Sequence, residues 1–323
     1  MKAVSQELAN SKPANRAAVA ESARALLAGL IDYAGLFPPA SLGMAAAVAN
    51  YDTYLRSEYS WMLGRFIVPV ARLGEFEDAL GQMPAKKTES SWSVSALPSA
   101  ELASELARIR EFNDRFAAST SPKKVRIESI EVRIASAEEI DRLTRLIPAG
   151  FETYFEILST GGAASSEMRD CIAAVASSGR RAKIRTGGET PDKFPAPEHI
   201  AEFIRLCAAS DVAFKATAGL HHPGRSLHRL TYQADSPSGI MHGFLNVFLA
   251  ASFVRSGMDT RLAVELLNEQ SASSFHFDSE GVLWREHRLG LDDICAARRN
   301  FAISFGSCSF TEPVEDLRTL DVL

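Results

Sequence analysis

The sequence has few cysteines, no excess of basic residues and no long uninterrupted apolar run. Its four cysteines, Cys171, Cys207, Cys295 and Cys308, form no CxxC pair and no zinc-like spacing, so we expect reduced thiols in a cytoplasmic protein. The formal net charge of -5 argues against a nucleic-acid partner. The longest apolar stretch, 240–254, is interrupted by polar residues and is shorter than the ~20 residues that span a bilayer, so we expect no membrane partner.

The chain also lacks fixed-period repeats, low-complexity tracts and long Gly/Ser linkers, so nothing in its 323 residues requires a second domain. Short apolar segments alternate with stretches of helical periodicity, which is the order typical of parallel sheets and barrels. Strands are predicted at 30–37, 63–70, 92–97, 127–134, 153–158, 182–186, 212–218 and 302–306. We therefore predict an α/β protein, a single (β/α)8 TIM barrel over 30–323 with an N-terminal helical extension over 1–29.

The connection between the seventh and eighth predicted strands is much longer than the others. Residues 226–300 form an insertion, in which we predict helices at 243–256, 259–269 and 291–299 and a hairpin around 279–281. Two roles stay open for it, a lid over the site and a homodimer interface.

Lysines occupy alternating positions in predicted strands six and seven. In AKIRTGG, Lys183 and Arg185 share one face, and in VAFKATAG, Lys215 and Thr217 share one face. The apolar residues between them suit the helix layer. Both lysines are therefore predicted to face the lumen, and barrels of this kind build their active sites at the carboxyl ends of the strands.

Two interpretations of the lysines stay open. Cations that share a barrel mouth repel each other and lose solvent, which lowers a lysine pKa until a neutral amine can attack a carbonyl. Alternatively, the lysines pair with Glu131 and Glu156, which lie inside apolar strands, and merely stabilise the barrel. These glutamates and Asp32 of strand one are candidates either for general acid–base catalysis or for salt bridges.

Small or cationic residues at the ends of strands six, seven and eight are candidates for binding an anionic group, because small residues let backbone N–H groups approach an anion. They are Arg185, Gly187, Gly188, Thr217, Gly219, His221, Arg225, Gly306 and Ser307. Glycines at strand ends are also ordinary turn residues. His221 and His222 point opposite ways on an extended segment and form no chelating pair, so we predict no metal site.

In order along the chain, these segments resemble the motifs of the deoxyribose-phosphate aldolase family of class I, Schiff-base aldolases. IDYAGLFPPAS of strand one looks like I-D-H-T-x-L-x-P-x-A-T, and KIRTG of strand six looks like K-T-S-T-G. VAFKATAGL of strand seven looks like V-x-V-K-x-S-G-G-I, FGSCS of strand eight looks like F-G-A-S-S, and FEIL of strand five is similar to I-E-T. The similarity covers the strands of 30–220 and 302–310.

The resemblance implies that Lys183 is the Schiff-base nucleophile, that Lys215 lowers its pKa, and that Asp32 belongs to the proton relay. The relay aspartate that the family carries on strand four has no match here. Ser129 lies nearest in register, and Glu131 follows one lumen step further on.

Other departures from the family pattern concern the substrate. Arg185 replaces a small hydroxyl residue beside the nucleophile, Phe37 replaces a lysine of the first motif, and AGLHHPGR replaces the Gly-Gly phosphate loop. We therefore expect imine chemistry on a different, anionic carbonyl substrate.

We predict a class I aldolase-like lyase that acts on a small anionic aldehyde or keto compound and needs no cofactor. One alternative is a metal-assisted hydrolase or isomerase that uses Glu131, Glu156 and either His221 or His242. The other is a catalytically inactive barrel that binds an anionic metabolite through Arg185 and the two lysines.

Overall fold

The computed structural model describes residues 19–84, 90–99, 101–120, 123–158 and 166–323. The strands in chain order are β1 (Ile31–Tyr33), β2 (Leu63–Pro69), β3 (Ser90–Leu97), β4 (Lys123–Ile134), β5 (Glu152–Ile157), β6 (Arg181–Arg185), β7 (Phe214–Thr217), β8 (Ser226–Arg229), β9 (Ser238–Met241), β10 (Phe275–Phe277), β11 (Gly281–Trp284), β12 (His287–Gly290) and β13 (Ala302–Ser307). Strands β1 to β7 and β13 close into a parallel barrel in which β13 lies between β7 and β1. The predicted (β/α)8 barrel is confirmed.

Helices connect the barrel strands, and those predicted at 243–256, 259–269 and 291–299 are present. In chain order they are α1 (Glu21–Leu27), α2 (Met44–Tyr54), α3 (Leu73–Gln82), α4 (Leu102–Ala118), α5 (Ala137–Leu146), α6 (Ser166–Ser178), α7 (Pro197–Ala209), α8 (Phe244–Arg255), α9 (Thr260–Leu267), α10 (Leu291–Asn300) and α11 (Thr311–Thr319). Helix α5 shows why these segments pack on the barrel as helices: its buried Ile140 and Leu143 are three residues apart and lie on one face of an otherwise polar helix. No helix in the described ranges combines the length and the apolar character that a membrane crossing needs.

Strand β1 is shorter than the predicted 30–37. After Tyr33 the backbone turns, with the Phe37 amide donating to the Ala34 carbonyl at 2.9 Å. The Ala34 amide instead reaches the Ser307 carbonyl of β13 at 2.7 Å. The apolar pattern therefore continues past the end of the strand because residues in the following turn are also buried.

The segment between β7 and β13 forms part of the barrel's own helix layer. Helix α8 is apolar on almost every side and packs against α7, α9, α10 and β13, as a helix buried all round must. The predicted hairpin around 279–281 is present as β10 and β11, and β12 extends it to a three-stranded sheet. Helix α1 packs on this sheet, where the Ser22 hydroxyl donates to the Asp278 carbonyl at 2.7 Å.

Candidate active site

The five predicted catalytic residues lie together inside the barrel. Strand pairing places Glu156 of β5 beside Lys183 of β6, and Lys183 beside Lys215 of β7. Phe214, the neighbour of Lys215, packs edge-on against Phe203 of α7 with ring centroids 5.3 Å apart, so Lys215 points into the lumen. Asp32 of β1 and Glu131 of β4 reach the same interior, and all five side chains are buried.

A continuous chain of short ion pairs connects these groups. Lys215 Nζ lies 2.6 Å from Asp32 Oδ2 and 2.7 Å from Glu131 Oε1. Lys183 Nζ lies 2.8 Å from Glu131 Oε2 and 2.7 Å from Glu156 Oε2. Glu131 therefore bridges the two lysines, with one carboxylate oxygen for each ammonium group.

The two oxygens of Glu131 are not equivalent. Oε1 accepts hydrogen bonds from Lys215 and from the Ser95 hydroxyl, both at 2.7 Å. Oε2 is buried and pairs with Lys183 Nζ at 2.8 Å. Oε2 of Glu131 and Oε2 of Glu156 are therefore the two carboxylate oxygens within reach of the Lys183 ammonium group.

Asp32 is held on both of its oxygens. The Ser304 hydroxyl donates to Oδ2 at 2.7 Å, and the Arg65 backbone amide donates to Oδ1 at 2.7 Å. A Cβ atom at Gly64 would lie 2.2 Å from Oδ1, so this position of β2 excludes a side chain. A cavity of about 330 Å³ at the amino-terminal end of the barrel reaches Asp32 from the side opposite the strand ends.

The alternation of lysines and carboxylates in this chain of ion pairs determines which pKa values are raised and which are lowered. Burial lowers the pKa of Lys215, but Asp32 and Glu131 outweigh burial, so the pKa is raised. Burial raises the pKa of Glu131, but Lys183 and Lys215 outweigh it, and the pKa is lowered. The pKa of Glu156 is lowered in the same way, chiefly by Lys183 and then by Arg185. Of the two interpretations open from the sequence, pairing with carboxylates is the arrangement in the structure. Glu131 lies between the two ammonium groups, so the expected unscreened repulsion between the lysines is not present, and Lys215 remains charged at neutral pH.

This charge network predicts how stability depends on pH. Because Glu131 and Glu156 have lowered pKa values when folded, the unfolded chain takes up protons first as the pH falls through about 4.3, the ordinary value for glutamate. The free energy of unfolding should therefore drop below that pH. The raised pKa of Lys215 contributes stability that is complete below about pH 10.4, the ordinary value for lysine, and is lost as the pH rises further through the folded value.

Urea unfolding at a series of pH values measures this dependence. The Glu156→Gln variant removes one of the two shifted carboxyl groups, so its free energy of unfolding should fall less steeply between pH 4.5 and pH 2.5 than that of the wild type. If the free energy of unfolding had the same pH dependence in variant and wild type over this range, the ionised form of Glu156 would contribute no stability to the fold.

Arginines stand where the network reaches the strand ends. Arg185 Nε and Nη2 donate to Glu156 Oε1 at 3.2 and 3.1 Å, and the side chain is 38% exposed. Arg133 of β4 places its Nε 3.6 Å from the same oxygen and is 66% exposed. Arg133 was not among the residues predicted from the sequence. It lies two residues beyond Glu131 on the same strand, so strand alternation, which places both side chains on one face, could have indicated it.

Several predicted anion-binding residues lie in close packing contacts. A Cβ atom at Gly187 would lie 2.9 Å from the Gly219 Cα and 2.5 Å from the Phe194 ring, and a Cβ at Gly188 would lie 2.8 Å from the Lys193 Cβ. Gly219 also has a φ of +73°, which favours glycine. The close approach of the ends of β6 and β7 under Phe194 therefore requires glycine at 187 and 219, and anion binding by these residues stays a prediction.

Residues at the ends of β7 and β13 are also closely packed. A Cβ at Gly306 would lie 3.2 Å from Thr217 Oγ1, so these two predicted residues are direct neighbours. The Ser307 hydroxyl accepts from the Ser309 amide at 3.3 Å, and its carbonyl accepts from Ala34.

The histidines after β7 contact acidic residues of α11 rather than the lysines. His221 Nδ1 is 3.1 Å from Glu312 Oε2, and His222 Nδ1 is 2.6 Å from Asp316 Oδ2. The His222 ring stacks on His228 with centroids 3.5 Å apart, and burial lowers the pKa of His228 to about 4.

Arg225 and His242 form a separate pair. Arg225 Nη1 lies 3.1 Å from His242 Nδ1, and His242 Nε2 lies 2.7 Å from the Pro195 carbonyl. In the described ranges no three His, Cys, Asp or Glu side chains are arranged to hold a metal ion. The set required by the metal-assisted alternative is therefore not assembled there.

A scan of the chain against protein-family models gives no match, and a search of curated proteins gives none either. The resemblance to the aldolases thus depends on the order of the strand motifs. The barrel fold is common among enzymes and is compatible with an aldolase-like one.

Proposed function

We propose that this chain is a class I aldolase-like lyase in which Lys183 forms an imine with a small anionic carbonyl compound. The observation that carries the proposal is the position of Lys183 Nζ between two carboxylates, 2.8 Å from Glu131 Oε2 and 2.7 Å from Glu156 Oε2. Imine formation requires a lysine that can lose a proton to a base and recover it, and Glu131 provides that base.

In the proposed reaction, Glu131 takes a proton from Lys183 and later releases it. Lys183 Nζ gives a proton to Glu131 Oε2 and attacks the carbonyl carbon, which forms a carbinolamine. The proton held on Glu131 Oε2 then passes to the carbinolamine hydroxyl, which leaves as water, while the ionised Glu156, 2.7 Å from the same nitrogen, stabilises the iminium that forms. The resulting iminium accepts the electron pair of the breaking carbon–carbon bond, while a carboxylate takes the proton of the substrate hydroxyl and an aldehyde departs. The remaining enamine is then protonated and hydrolysed.

The two lysines have different roles in this proposal. Lys215 is completely buried and hydrogen-bonded to Asp32 and Glu131, so it holds Glu131 in place and supplies a fixed positive charge. Lys183 is 3% exposed and lies next to Arg185, which is nearer the mouth. Of the two amines, Lys183 is therefore the one that a substrate entering from the strand ends can reach.

Reductive trapping tests the proposal. Borohydride treatment in the presence of pyruvate, acetone or glycolaldehyde should add the mass of one reduced adduct to the peptide that carries Lys183. The Lys183→Arg variant, which keeps the charge but cannot form an imine, should gain none, whereas Lys124→Arg, a change at an exposed strand position, should react like the wild type. A folded wild-type protein that forms no adduct with any small aldehyde or keto compound would contradict the proposal.

A further inference from the structure

We infer that the substrate carries a carboxylate directly on its reactive carbonyl carbon, and that Arg185 and Arg133 hold this carboxylate at the ends of β4 and β6. The inference rests on the proposed function and specifies its substrate class as 2-oxo acids. Arg133 has no other role in the proposed chemistry.

The spacing between amine and guanidinium suits this class. Lys183 Nζ lies 2.7 Å from Oε2 of Glu156, and Arg185 Nη2 lies 3.1 Å from Oε1 of the same carboxylate. The reactive amine and the nearest guanidinium are therefore linked through one carboxylate group with a polar contact at each end. A 2-oxo acid that forms an imine with Lys183 carries its carboxylate one bond from the reacting carbon, within this reach of Arg185.

The chemistry of the two arginines fits a planar carboxylate. A guanidinium has five N–H donors, of which Glu156 uses Nε and Nη2 of Arg185. Arg133 approaches the same Glu156 oxygen with one nitrogen at 3.6 Å and is largely exposed. Two guanidinium groups that converge on one point at the mouth can share a second carboxylate in the forked geometry that arginine favours.

The charge balance of the network also favours an anion. Among the described residues it joins four cations to three carboxylates. They are Lys183, Lys215, Arg133 and Arg185, and Asp32, Glu131 and Glu156. The formal charge is therefore +1, and the two arginines place the excess at the mouth, where a monoanionic substrate neutralises it.

The usual phosphate position of these barrels is unsuitable here. Loops after the last two strands normally provide it, but in this chain Glu312 and Asp316 lie there, paired with His221 and His222. Phe194 covers the glycines at the ends of β6 and β7. An incoming phosphate would meet carboxylates and an aromatic ring there.

Matched pairs of carbonyl probes test the inference. Pyruvate differs from acetone by a carboxylate, and dihydroxyacetone phosphate differs from dihydroxyacetone by a phosphate. We measure initial rates of reductive trapping at Lys183 and compare each ratio between wild type and variants, so that the intrinsic reactivity of the probes cancels. Arg185→Gln should lower the pyruvate-to-acetone ratio about tenfold or more, since a hydrogen bond to a charged group contributes about that factor. Arg133→Gln, at a more exposed position, should lower it severalfold.

The control is Arg126→Gln, at an exposed position near the amino end of the same strand as Arg133, which should leave both ratios unchanged. An unchanged pyruvate-to-acetone ratio in both the Arg185 and the Arg133 variant would overturn the inference. A wild-type ratio of dihydroxyacetone phosphate to dihydroxyacetone that exceeds the ratio of pyruvate to acetone would overturn it as well.

A second measurement separates this inference from the imine chemistry. Oxamate has the shape of pyruvate but forms no imine, and it should raise the thermal unfolding midpoint of the wild type more than that of Arg185→Gln. Stabilisation by oxamate without any trapped adduct would reject the proposed function and support the carboxylate site. Trapping of neutral carbonyl compounds without stabilisation by oxamate would support the proposed function and reject the carboxylate site.

Discussion

The Glu131→Gln variant is expected to lose about 3–5 kcal/mol of its free energy of unfolding at neutral pH, the cost typical of removing one partner from a buried ion pair. Glu131 is buried and provides one oxygen to each lysine. An amide of the same shape cannot neutralise either ammonium group, so Lys183 and Lys215 are left with one carboxylate each in a dry interior. Urea unfolding of the variant beside the wild type measures the difference.

The matched control is Glu128→Gln on the same strand. Glu128 pairs with Arg65 at 3.1 Å, but its side chain is 37% exposed, and pairs that solvent reaches contribute less than about 1 kcal/mol. If Glu131→Gln proved as mild as Glu128→Gln, the Glu131 bridge would not stabilise the fold as a buried ion pair does.

Lys183→Arg is expected to abolish the catalysed exchange of the methyl protons of pyruvate and acetone with deuterium from solvent. An iminium at Lys183 acidifies these protons by forming an enamine, so exchange reports the imine without requiring the natural substrate. Loss of a covalent nucleophile reduces the catalysed rate by roughly 10³-fold or more. Proton NMR in D₂O follows the disappearance of the methyl signal.

Arginine retains the positive charge between Glu131 and Glu156, and urea unfolding checks that the variant remains folded. Lys215→Arg serves as the companion variant, since it retains the charge beside Asp32 and Glu131 and leaves the nucleophile in place. It should retain measurable exchange. If Lys183→Arg kept more than a tenth of the wild-type exchange rate, the nucleophile would have to be another group.

The architecture was predictable because it follows from local pattern. Each βα unit is recognisable in the sequence as a short apolar run followed by a stretch in which apolar residues recur with helical periodicity. Parallel strands need crossover connections, which are usually helices. The 226–300 segment was predicted as separate elements, but not as part of the helix layer. That role depends on the buried position of α8 between α7, α10 and β13. The local sequence of α8 does not indicate which elements surround it.

The candidate site was predictable as a set of residues but not as a set of contacts. Period-2 alternation placed Lys183, Lys215 and Glu131 in the lumen. The Glu131 bridge requires the register that sets β4, β5, β6 and β7 side by side. Register is a property of the closed barrel, and the sequence of one strand does not contain it.

The sequence by itself determined that two lysines enter one barrel lumen, because strand alternation and the βα order are local. Only the tertiary structure decided which charges face them. It set Glu131 between Lys183 and Lys215, brought Arg133 to the Glu156 side of the mouth, and assigned His221 to Glu312. Ion pairs between distant strands depend on ångström-scale distances across the barrel, and these exist only after all eight strands have closed.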